Sequence, residues 1–325
     1  MKLLSIVMKL LLLTEMMCSC SGLNIRGVST YGFETEHSSL ACDWVSTYDE
    51  ILSNIQRLGF NTIRLPFSHD YLHNTDMKAM DSFFEAVLKT SLDVVLDFHR
   101  IVNYQQAPKP YDNEHSFQTF IDDWLFILDR YKGNNHLVGC DLFNEVQGSE
   151  WWEWNDLATK AITTIENKFP FRFYYLVGCT EWGSNCSKVN INLPYQDRIY
   201  YTIHRYVWHG GDHNNWDWMF GNIGKDGSKM IVGEYGARSE LPNQMDWFRQ
   251  FISYLKERNI TNSFFWTYAV SSDTGGIYKD DCKTLELDKM RLLWDYWGYT
   301  PPDFQQYSRR LRGGEKCYDN MTIVF

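Results

Sequence analysis

Two glutamates stand at the ends of apolar, β-branched runs. Glu145 follows Asn144 at the end of the run LVGCDLFNE, and Glu234 ends the run KMIVGE. Two carboxyl groups that face each other can hydrolyse a glycosidic bond, because one protonates the leaving oxygen while the other attacks the anomeric carbon or activates water. A separation of about 5–5.5 Å gives retention of configuration and about 6.5–9.5 Å gives inversion. The sequence leaves that distance open.

Other apolar runs end in side chains that suit the same chemistry. They supply Arg64, His99, His204, Tyr206 and Trp266, and the run near Cys179 leads to Trp182. A guanidinium can keep a neighbouring carboxylate ionised through a charge-assisted hydrogen bond. An indole ring can stack on the face of a sugar. For each histidine and for Trp182, a purely structural role remains an alternative.

The spacing of the runs predicts how these side chains are positioned. Eight runs begin near Leu23, Phe60, Leu92, Leu137, Phe171, Arg198, Lys229 and Asn262. Helix-period segments fall between them at Tyr48–Leu58, Met80–Thr90, Phe117–Tyr131, Trp154–Phe169 and Gln244–Arg258. Alternating strands and helices indicate a parallel sheet, and eight such units predict a single (β/α)8 TIM barrel. In such a barrel the carboxyl ends of the strands form one rim, where the listed side chains would meet.

Composition narrows the class of ligand. The 325 residues carry a formal net charge of −10 and include 13 Trp, 20 Tyr and 20 Phe. An acidic chain is not attracted to phosphate backbones or anionic lipid, so we expect no nucleic-acid partner and no membrane partner. The aromatic residues exceed what a core requires, and the surplus predicts a surface that stacks on sugar rings.

The N-terminal residues and the cysteines indicate in which cellular or extracellular compartment the protein folds. Residues 1–21 combine Lys2, an apolar run and small residues near Ser21, which predicts a signal peptide and secretion, although Lys9 and Glu15 depart from the usual pattern. Beyond it, Cys42, Cys140, Cys179, Cys186, Cys282 and Cys317 remain. Cys179 and Cys186 flank one loop and are the expected disulfide, whereas Cys140 lies within a strand and is expected to be a buried thiol. The sequons at Asn185, Asn259 and Asn320 would matter only in a eukaryotic secretory pathway.

Several of these positions together form a known pattern: Ile63-Arg64-Leu65-Pro66, His99, Asn144-Glu145, His204-x-Tyr206, Gly233-Glu234-Tyr235-Gly236 and Trp266. They resemble the motifs of glycoside hydrolase family 5, the cellulase family of clan A. Further stretches resemble the bacterial-type endo-β-1,4-glucanases of that family: Gly32-Phe33-Glu34-Thr35, Arg130-Tyr131-Lys132-Gly133-Asn134, Asp273-Thr274-Gly275-Gly276-Ile277 and Asp280-Asp281. The likeness extends over about residues 23 to 297.

The resemblance implies a role for each matching residue. Glu145 would be the proton donor and base and Glu234 the nucleophile, while Arg64 and Tyr206 would support Glu234. Asn144 would donate to the sugar 2-hydroxyl, and Trp266 would stack on the ring. His99 and His204 would line the subsite where the bond breaks.

Three features depart from the family pattern. Val146 replaces the usual Pro after the acid/base residue, which should shift geometry without removing the chemistry. Cys282 replaces a Trp that often follows the Asp-Asp pair. The stretch RIVNYQQAPKPYDNEH after His99 does not follow the glucanase pattern, and because loops set subsites it leaves the glycan open.

The combined interpretation is a secreted, monomeric, retaining endo-β-1,4-glucanase that needs no cofactor or metal. Residues 1–21 are assigned to the signal peptide, 22–300 to the catalytic barrel and 301–325 to a C-terminal surface tail. One alternative keeps the mechanism but acts on mannan, mixed-linkage glucan or xyloglucan. Another is an inactive carbohydrate-binding barrel, which would be marked by the loss of a carboxylate.

Overall fold

The computed structural model describes residues 23–189, 192–223, 228–271 and 273–302. Eight parallel strands close into a barrel in chain order. They are β1 (Arg26–Ser29), β2 (Thr62–Ser68), β3 (Asp93–Arg100), β4 (Leu137–Asp141), β5 (Tyr174–Gly178), β6 (Ile199–Arg205), β7 (Met230–Tyr235) and β8 (Ser263–Phe265). Every strand begins within a predicted run, so the (β/α)8 barrel is confirmed. The predicted signal peptide and nearly all of the predicted tail lie outside the described residues.

In the described part of the chain, six principal helices surround the barrel. They are α1 (Tyr48–Arg57), α2 (Lys78–Val87), α3 (Phe117–Tyr131), α4 (Trp151–Lys168), α5 (Pro242–Glu257) and α6 (Leu287–Trp297). Local chemistry fixes several starts: Thr47 and Glu50 form a capping box before α1, Ser116 caps α3, and α5 begins with Pro242. The first five agree with the helices expected from the sequence. Among the described residues, none of the helices combines the length and the apolar character that a transmembrane span requires.

Shorter helical segments follow several strands on the rim side. They are the α-helical turns His69–Asn74, Thr180–Gly183 and His213–Trp216, the 3₁₀ segment Val207–His209 and the π segment Asp217–Gly221. A further 3₁₀ segment, Gln196–Arg198, directly precedes β6 at the opposite end of the barrel. Within the turn after β5, Glu181 and Trp182 both have left-handed backbone angles, with φ of 57° and 56°. This backbone is uncommon for residues other than glycine.

The strand alternation divides the barrel interior into an apolar floor and a polar upper part. Ile25, Val95, Leu176, Tyr200, Ile231 and Phe264 form a buried apolar cluster separate from the layer between sheet and helices. Two and four residues beyond Val95 on β3 lie Asp97 and His99, which face the same interior because side chains alternate along a strand. The upper interior is therefore built from charged side chains.

The same alternation limits which polar and aromatic side chains at the strand ends reach the rim. Tyr235 follows Glu234 directly and packs outward against Phe248 and Phe265. Arg205 follows His204 and is buried, donating from Nη2 to the carbonyl of Gly210 at 2.7 Å. Neighbouring residues of a strand point to opposite faces, so each strand end gives only alternate side chains to the site.

Within the described residues, the cysteines form two disulfide bridges. The predicted Cys179–Cys186 disulfide is present, and Cys140 is a free buried thiol, as predicted. A second disulfide, Cys42–Cys282, joins residues 240 positions apart. It was not predicted, because nothing local in the sequence indicates a partner so far along the chain. Cys282, noted as a departure from the family pattern, thus has a structural function.

Candidate active site

The two glutamates converge at the rim from different strands. Glu234 lies within β7, whereas Glu145 lies in the loop four residues beyond the end of β4. An oxygen of Glu145, an oxygen of Glu234 and a ring nitrogen of His204 all lie within 4.8 Å of one another. Glu145 adopts a left-handed φ of 51°, a backbone that non-glycine residues adopt mainly where the surrounding structure imposes it. The side chains therefore meet because both strand position and loop backbone direct them inward.

Arg64 on β2 organises the base of the site. Its guanidinium is fully buried and donates to Glu234 Oε1 at 2.6 Å and Asp141 Oδ2 at 2.8 Å. Nη2 also lies 3.1 Å from Asp97 Oδ2 and donates to Asn144 Oδ1 at 3.0 Å. Burial opposes the charge of Arg64, but these three carboxylates raise the pKa of its guanidinium. A buried cation is stable here because every neighbour accepts a hydrogen bond or carries a negative charge.

Asp97 and Asp141 were not identified as site residues from the sequence. Burial raises the pKa of Asp97 to about 7 and that of Asp141 to about 6, while the charge of Arg64 acts in the opposite direction. The three acidic groups around Arg64 thus differ in their affinity for a proton. Asp97 and Asp141 share one feature that the sequence could have revealed. Each is an acidic residue near the carboxyl end of its strand, β3 or β4, at a position that faces the barrel interior.

Glu234 is held in its ionised form. The Tyr206 hydroxyl donates to Glu234 Oε2 at 2.8 Å, opposite the Arg64 contact on Oε1. Burial alone would raise the pKa of Glu234, but His204 and Arg64, with the Tyr206 hydrogen bond, lower it to about 2. A carboxylate with both oxygens fixed and no tendency to take up a proton is suited to nucleophilic attack.

His204 lies beneath the two glutamates. Its Nδ1 is 3.1 Å from Glu145 Oε1 and 3.6 Å from Glu234 Oε2, and the residue is only 2% exposed. Burial opposes its charge, but Glu234 and the hydrogen bond with Glu145 raise the pKa of His204. Glycines leave room for the ring, because a Cβ at Gly233 would come within 2.9 Å of His204 Nε2. The sequence placed His204 on the wall of the subsite, whereas the structure buries it between the carboxylates.

His99 and Trp266 form one wall of the cavity. Their rings are parallel within 5° with centroids 5.3 Å apart. Burial lowers the pKa of His99 well below its usual value, and its Nδ1 is 2.5 Å from Asp97 Oδ2. Asn144 Oδ1 is occupied by Arg64, so its amide nitrogen, 3.5 Å from His99 Nε2, is the end that can donate. The arrangement presents a flat ring and an amide donor beside the carboxylates.

A cavity of about 980 Å³ opens above these groups. It is lined by both glutamates, His99, Tyr206, Trp266 and Trp182, and also by Tyr31, Glu34, Tyr104, Trp208 and His209. Trp182 and Trp208 are 52% and 53% exposed and stand at its edge. Trp208 stacks on Tyr206, with centroids 4.5 Å apart and an angle of 14°. Sequence reasoning missed Trp208, although it stands two residues after Tyr206 in the loop that follows β6.

Two departures from the family motif can be located. Val146 is buried, and its carbonyl accepts a hydrogen bond from the Trp182 backbone at 3.2 Å. The backbone of the loop after β4 is thus tied to the loop after β5. The stretch after His99 contributes Arg100, Tyr104 and Gln106 to the cavity lining.

Two groups among the described residues are spaced closely enough to hold a metal ion. One is Glu145, His204 and Glu234, and the other is His69, His73 and Asp123 outside the cavity. In the first group the charges are already balanced by hydrogen bonds and by Arg64, and hydrolysis by two carboxyl groups requires no ion.

The chain matches a known protein family over most of its length. The sequence model of the cellulase family (glycosyl hydrolase family 5) matches residues 20–272. The major extracellular endoglucanase of Xanthomonas campestris is 26% identical over a match covering 84% of this chain and 68% of its own. An endoglucanase of Paenibacillus polymyxa is also 26% identical, over 82% of this chain and 81% of its own.

Solved structures share the fold. An endocellulase from Pyrococcus horikoshii, determined in a complex with cellotetraose, superposes with a TM-score of 0.78 at 23% identity and covers 84% of this chain and 92% of its own. The catalytic domain of the Xanthomonas campestris endoglucanase superposes with a TM-score of 0.76 at 23% identity. The match covers 85% of this chain and 95% of that domain. Because the family match spans most of the chain and includes the barrel that brings Glu145 and Glu234 together, this protein belongs to glycoside hydrolase family 5, the cellulase family, and is a glycosidase.

Proposed function

We propose that this protein is a retaining endo-β-1,4-glucanase that uses Glu145 and Glu234 in a double displacement. The observation that supports this best is the approach of their carboxylate oxygens to within 4.8 Å. Retaining enzymes hold the two carboxyl groups about 5–5.5 Å apart, whereas inverting enzymes separate them by about 6.5–9.5 Å to admit a water. The close approach of these oxygens supports the retaining arrangement over the inverting one.

Glu234 is the nucleophile in this proposal. Both of its oxygens are fixed by Arg64 and Tyr206, and its low pKa keeps it ionised when substrate arrives. Its carboxylate attacks the anomeric carbon, the bond to the leaving oxygen breaks, and a covalent glycosyl-enzyme forms.

Glu145 is the acid and then the base. Its side chain is more exposed than that of Glu234, at 19% against 6%. It gives its proton to the leaving oxygen in the first step and takes one from water in the second, when that water displaces Glu234 from the sugar. The proton returns to Glu145, so the enzyme ends as it began.

Surrounding side chains hold the sugar in place. The amide nitrogen of Asn144, whose nearest partner is His99 Nε2 at 3.5 Å, is suited to the 2-hydroxyl, a contact that strengthens in the oxocarbenium-like transition state. Trp266 supplies a flat face for the ring in the subsite where the bond breaks, and His99 stands against it. Trp182 and Trp208 are suited to flanking sugars.

The choice of polymer rests on the relatives and on the groove. Both curated relatives named above are endoglucanases, and the Pyrococcus structure holds cellotetraose. The catalytic cavity adjoins a second one of about 1010 Å³, and both are lined by Val270 and Ser271. Two adjoining cavities of these volumes accept several sugars, which favours cleavage within a chain.

The roles of the two glutamates are tested by matched amide variants. Glu145→Gln and Glu234→Gln should each lower kcat on carboxymethylcellulose by several orders of magnitude, because each removes a proton donor or a nucleophile without changing shape. Glu257→Gln, at an exposed position on α5, is the control and should keep wild-type activity. Near-wild-type hydrolysis by either active-site variant would overturn the assignment.

Azide distinguishes the two roles. With an activated aryl cellobioside, Glu234→Ala should yield a glycosyl azide of inverted configuration, because azide replaces the nucleophile. Glu145→Ala should yield the azide of retained configuration, because azide then attacks the glycosyl-enzyme. Products of the opposite configuration would exchange the assignments.

A substrate panel tests the polymer. Carboxymethylcellulose, mixed-linkage glucan, xyloglucan and mannan should be compared by kcat/KM, with product lengths measured early in the reaction. We expect the highest value on a β-1,4-glucan and a mixture of internal products. Exclusive release of terminal sugars would contradict the endo assignment, and a preference for mannan would change the substrate but not the mechanism.

Secretion is also part of the proposal. The Xanthomonas relative is named as extracellular, and the part of this chain that the structure describes contains the disulfides Cys42–Cys282 and Cys179–Cys186, which persist in oxidising compartments. Residues 1–21 would be removed as a signal peptide. N-terminal sequencing of protein recovered from the medium should begin near residue 22, and an intact Met1 on secreted protein would contradict the cleavage.

A further inference from the structure

A second cluster of metal-binding side chains lies outside the catalytic cavity. His69 and His73 stand one turn apart on the short helix His69–Asn74, so both rings lie on one face of that helix. Asp123 comes from α3, which packs beside it. One nitrogen of each histidine and a carboxylate oxygen of Asp123 lie within 4.8 Å of one another.

Both imidazole rings contact the carboxylate of Asp123. His69 Nδ1 is 2.7 Å from Asp123 Oδ2, and His73 Nε2 is 2.6 Å from Asp123 Oδ1. The two rings are 4.3 Å apart between centroids. The side chain of Asp123 is 2% exposed, and within the described residues its ion-pair partners are these two histidines. A buried carboxylate that faces two imidazoles needs a positive charge between them, which a proton or a metal ion can supply.

The surroundings favour a cation and leave it a path from solvent. Asp70 on the same helix and Asp112 in the loop before α3 add negative charge to the environment of His69. His73 is 49% exposed, so one side of the cluster is open to water. An ion can therefore reach the buried carboxylate without unfolding of the helix pair.

The cluster also touches the stretch that departs from the glucanase pattern. His115, at the end of that stretch, packs edge to face on His69 with centroids 4.6 Å apart. Asp112 accepts from the His115 backbone at 2.7 Å and lies 2.9 Å from its Nδ1. The same stretch lines the catalytic cavity through Arg100, Tyr104 and Gln106. The cluster thus lies where this long loop is anchored to the barrel.

We infer that His69, His73 and Asp123 form a binding site for a divalent first-row transition metal, with Zn²⁺ as the best fit. Two imidazoles and one carboxylate, with water in the fourth position, are a ligand set that Zn²⁺ commonly takes. Zinc bonds of about 2.0–2.1 Å require ligand atoms about 3.3 Å apart in a tetrahedron. The hydrogen-bonded atoms, now 2.7 and 2.6 Å apart, need to separate by about 0.6–0.7 Å as the ion displaces the protons between them.

The test compares variants of the full chain after removal of metals by a chelator. Zn²⁺ is titrated in competition with a chromophoric chelator, and Tm is measured with and without Zn²⁺. His73→Ala removes a half-exposed ligand, and His213→Ala is the control because His213 is 50% exposed and lies outside the cluster. Asp123→Asn is the second test variant, since it keeps the shape of the carboxylate.

Wild type and His213→Ala should bind one equivalent with a Kd of about 10 µM or tighter and should gain Tm on adding Zn²⁺. His73→Ala and Asp123→Asn should bind at least about tenfold more weakly, and their Tm should not respond. Absence of saturable binding by wild type would overturn the inference. Equal Zn²⁺ affinity of His73→Ala and wild type would also overturn the inference. That result is expected if the ion binds to Glu145, His204 and Glu234 instead.

Discussion

The Nδ1 atom of His204 lies 3.1 Å from Oε1 of Glu145, below the cavity and out of reach of solvent. The same ring is close enough to Glu234 to stabilise its negative charge. One buried histidine therefore links the two catalytic carboxyl groups of the proposed mechanism.

Replacing His204 by Gln should shift the acid limb of the kcat/KM profile to higher pH. The amide keeps a hydrogen-bond donor but loses the positive charge that lowers the pKa of Glu234. An opposite charge at this range shifts a carboxyl pKa by about 1–3 units. The pH profile on a soluble β-glucan measures the shift, with His213→Gln as the control. An acid limb at the wild-type position would show that His204 does not set the charge of Glu234.

Glu34 should make the protein less stable as the pH rises from about 4.5 to 7. Burial raises its pKa to about 7, so in this range the folded state holds a proton that the unfolded state has released. Stability then falls with pH, by about 3 kcal/mol in total for this group. Glu34→Gln keeps an acceptor for the Gly32 amide and removes the titration.

Urea unfolding at pH 4 and pH 8 checks this. The wild type should lose stability relative to Glu34→Gln between the two values. A constant difference between the two proteins would mean that Glu34 ionises with an ordinary pKa in the folded state.

Loss of the Cys42–Cys282 disulfide should lower the free energy of unfolding by about 2–4 kcal/mol. The bridge closes a loop of 240 residues, so it restricts the unfolded chain strongly. Cys179–Cys186 spans only 7 residues and should contribute less on the same basis. The free energy of unfolding should be measured under one set of conditions for two double variants, Cys42→Ser/Cys282→Ser and Cys179→Ser/Cys186→Ser. The comparison shows which disulfide contributes more to stability. A smaller loss from the first pair would contradict the loop-length argument.

Trp208→Ala should raise KM for long cello-oligosaccharides by about three- to tenfold, with a smaller effect on short ones. Its exposed indole lines the catalytic cavity and can stack on a sugar outside the cleavage subsite. One stacking contact contributes about 0.5–1.5 kcal/mol. Trp152→Ala is the matched control, because Trp152 is 72% exposed and is not part of that lining. Equal KM changes in the two variants would argue against a sugar contact at Trp208.

Much of the fold and the site could be predicted from local pattern. The runs that contain Thr62–Ser68 and Met230–Tyr235 are apolar and β-branched and are separated by helix-period segments, so strand and helix each followed from periodicity. Parallel strands bring their carboxyl ends to one rim, and this placed Arg64, Glu145 and Glu234 in one region without knowledge of distances.

The tertiary structure alone decided how these groups meet. The distance between Glu145 and Glu234 depends on the stagger of the barrel strands and on the left-handed backbone at Glu145. Neither feature can be recognised from the sequence pattern. The burial of His204 depends on packing against distant glycines, and Cys42 finds Cys282 only when β1 and β8 close the barrel. The hydrophobic periodicity of a strand or helix is a local property, so it could be recognised in the sequence. Distances across the barrel arise from contacts between remote segments, so only the folded chain determines them.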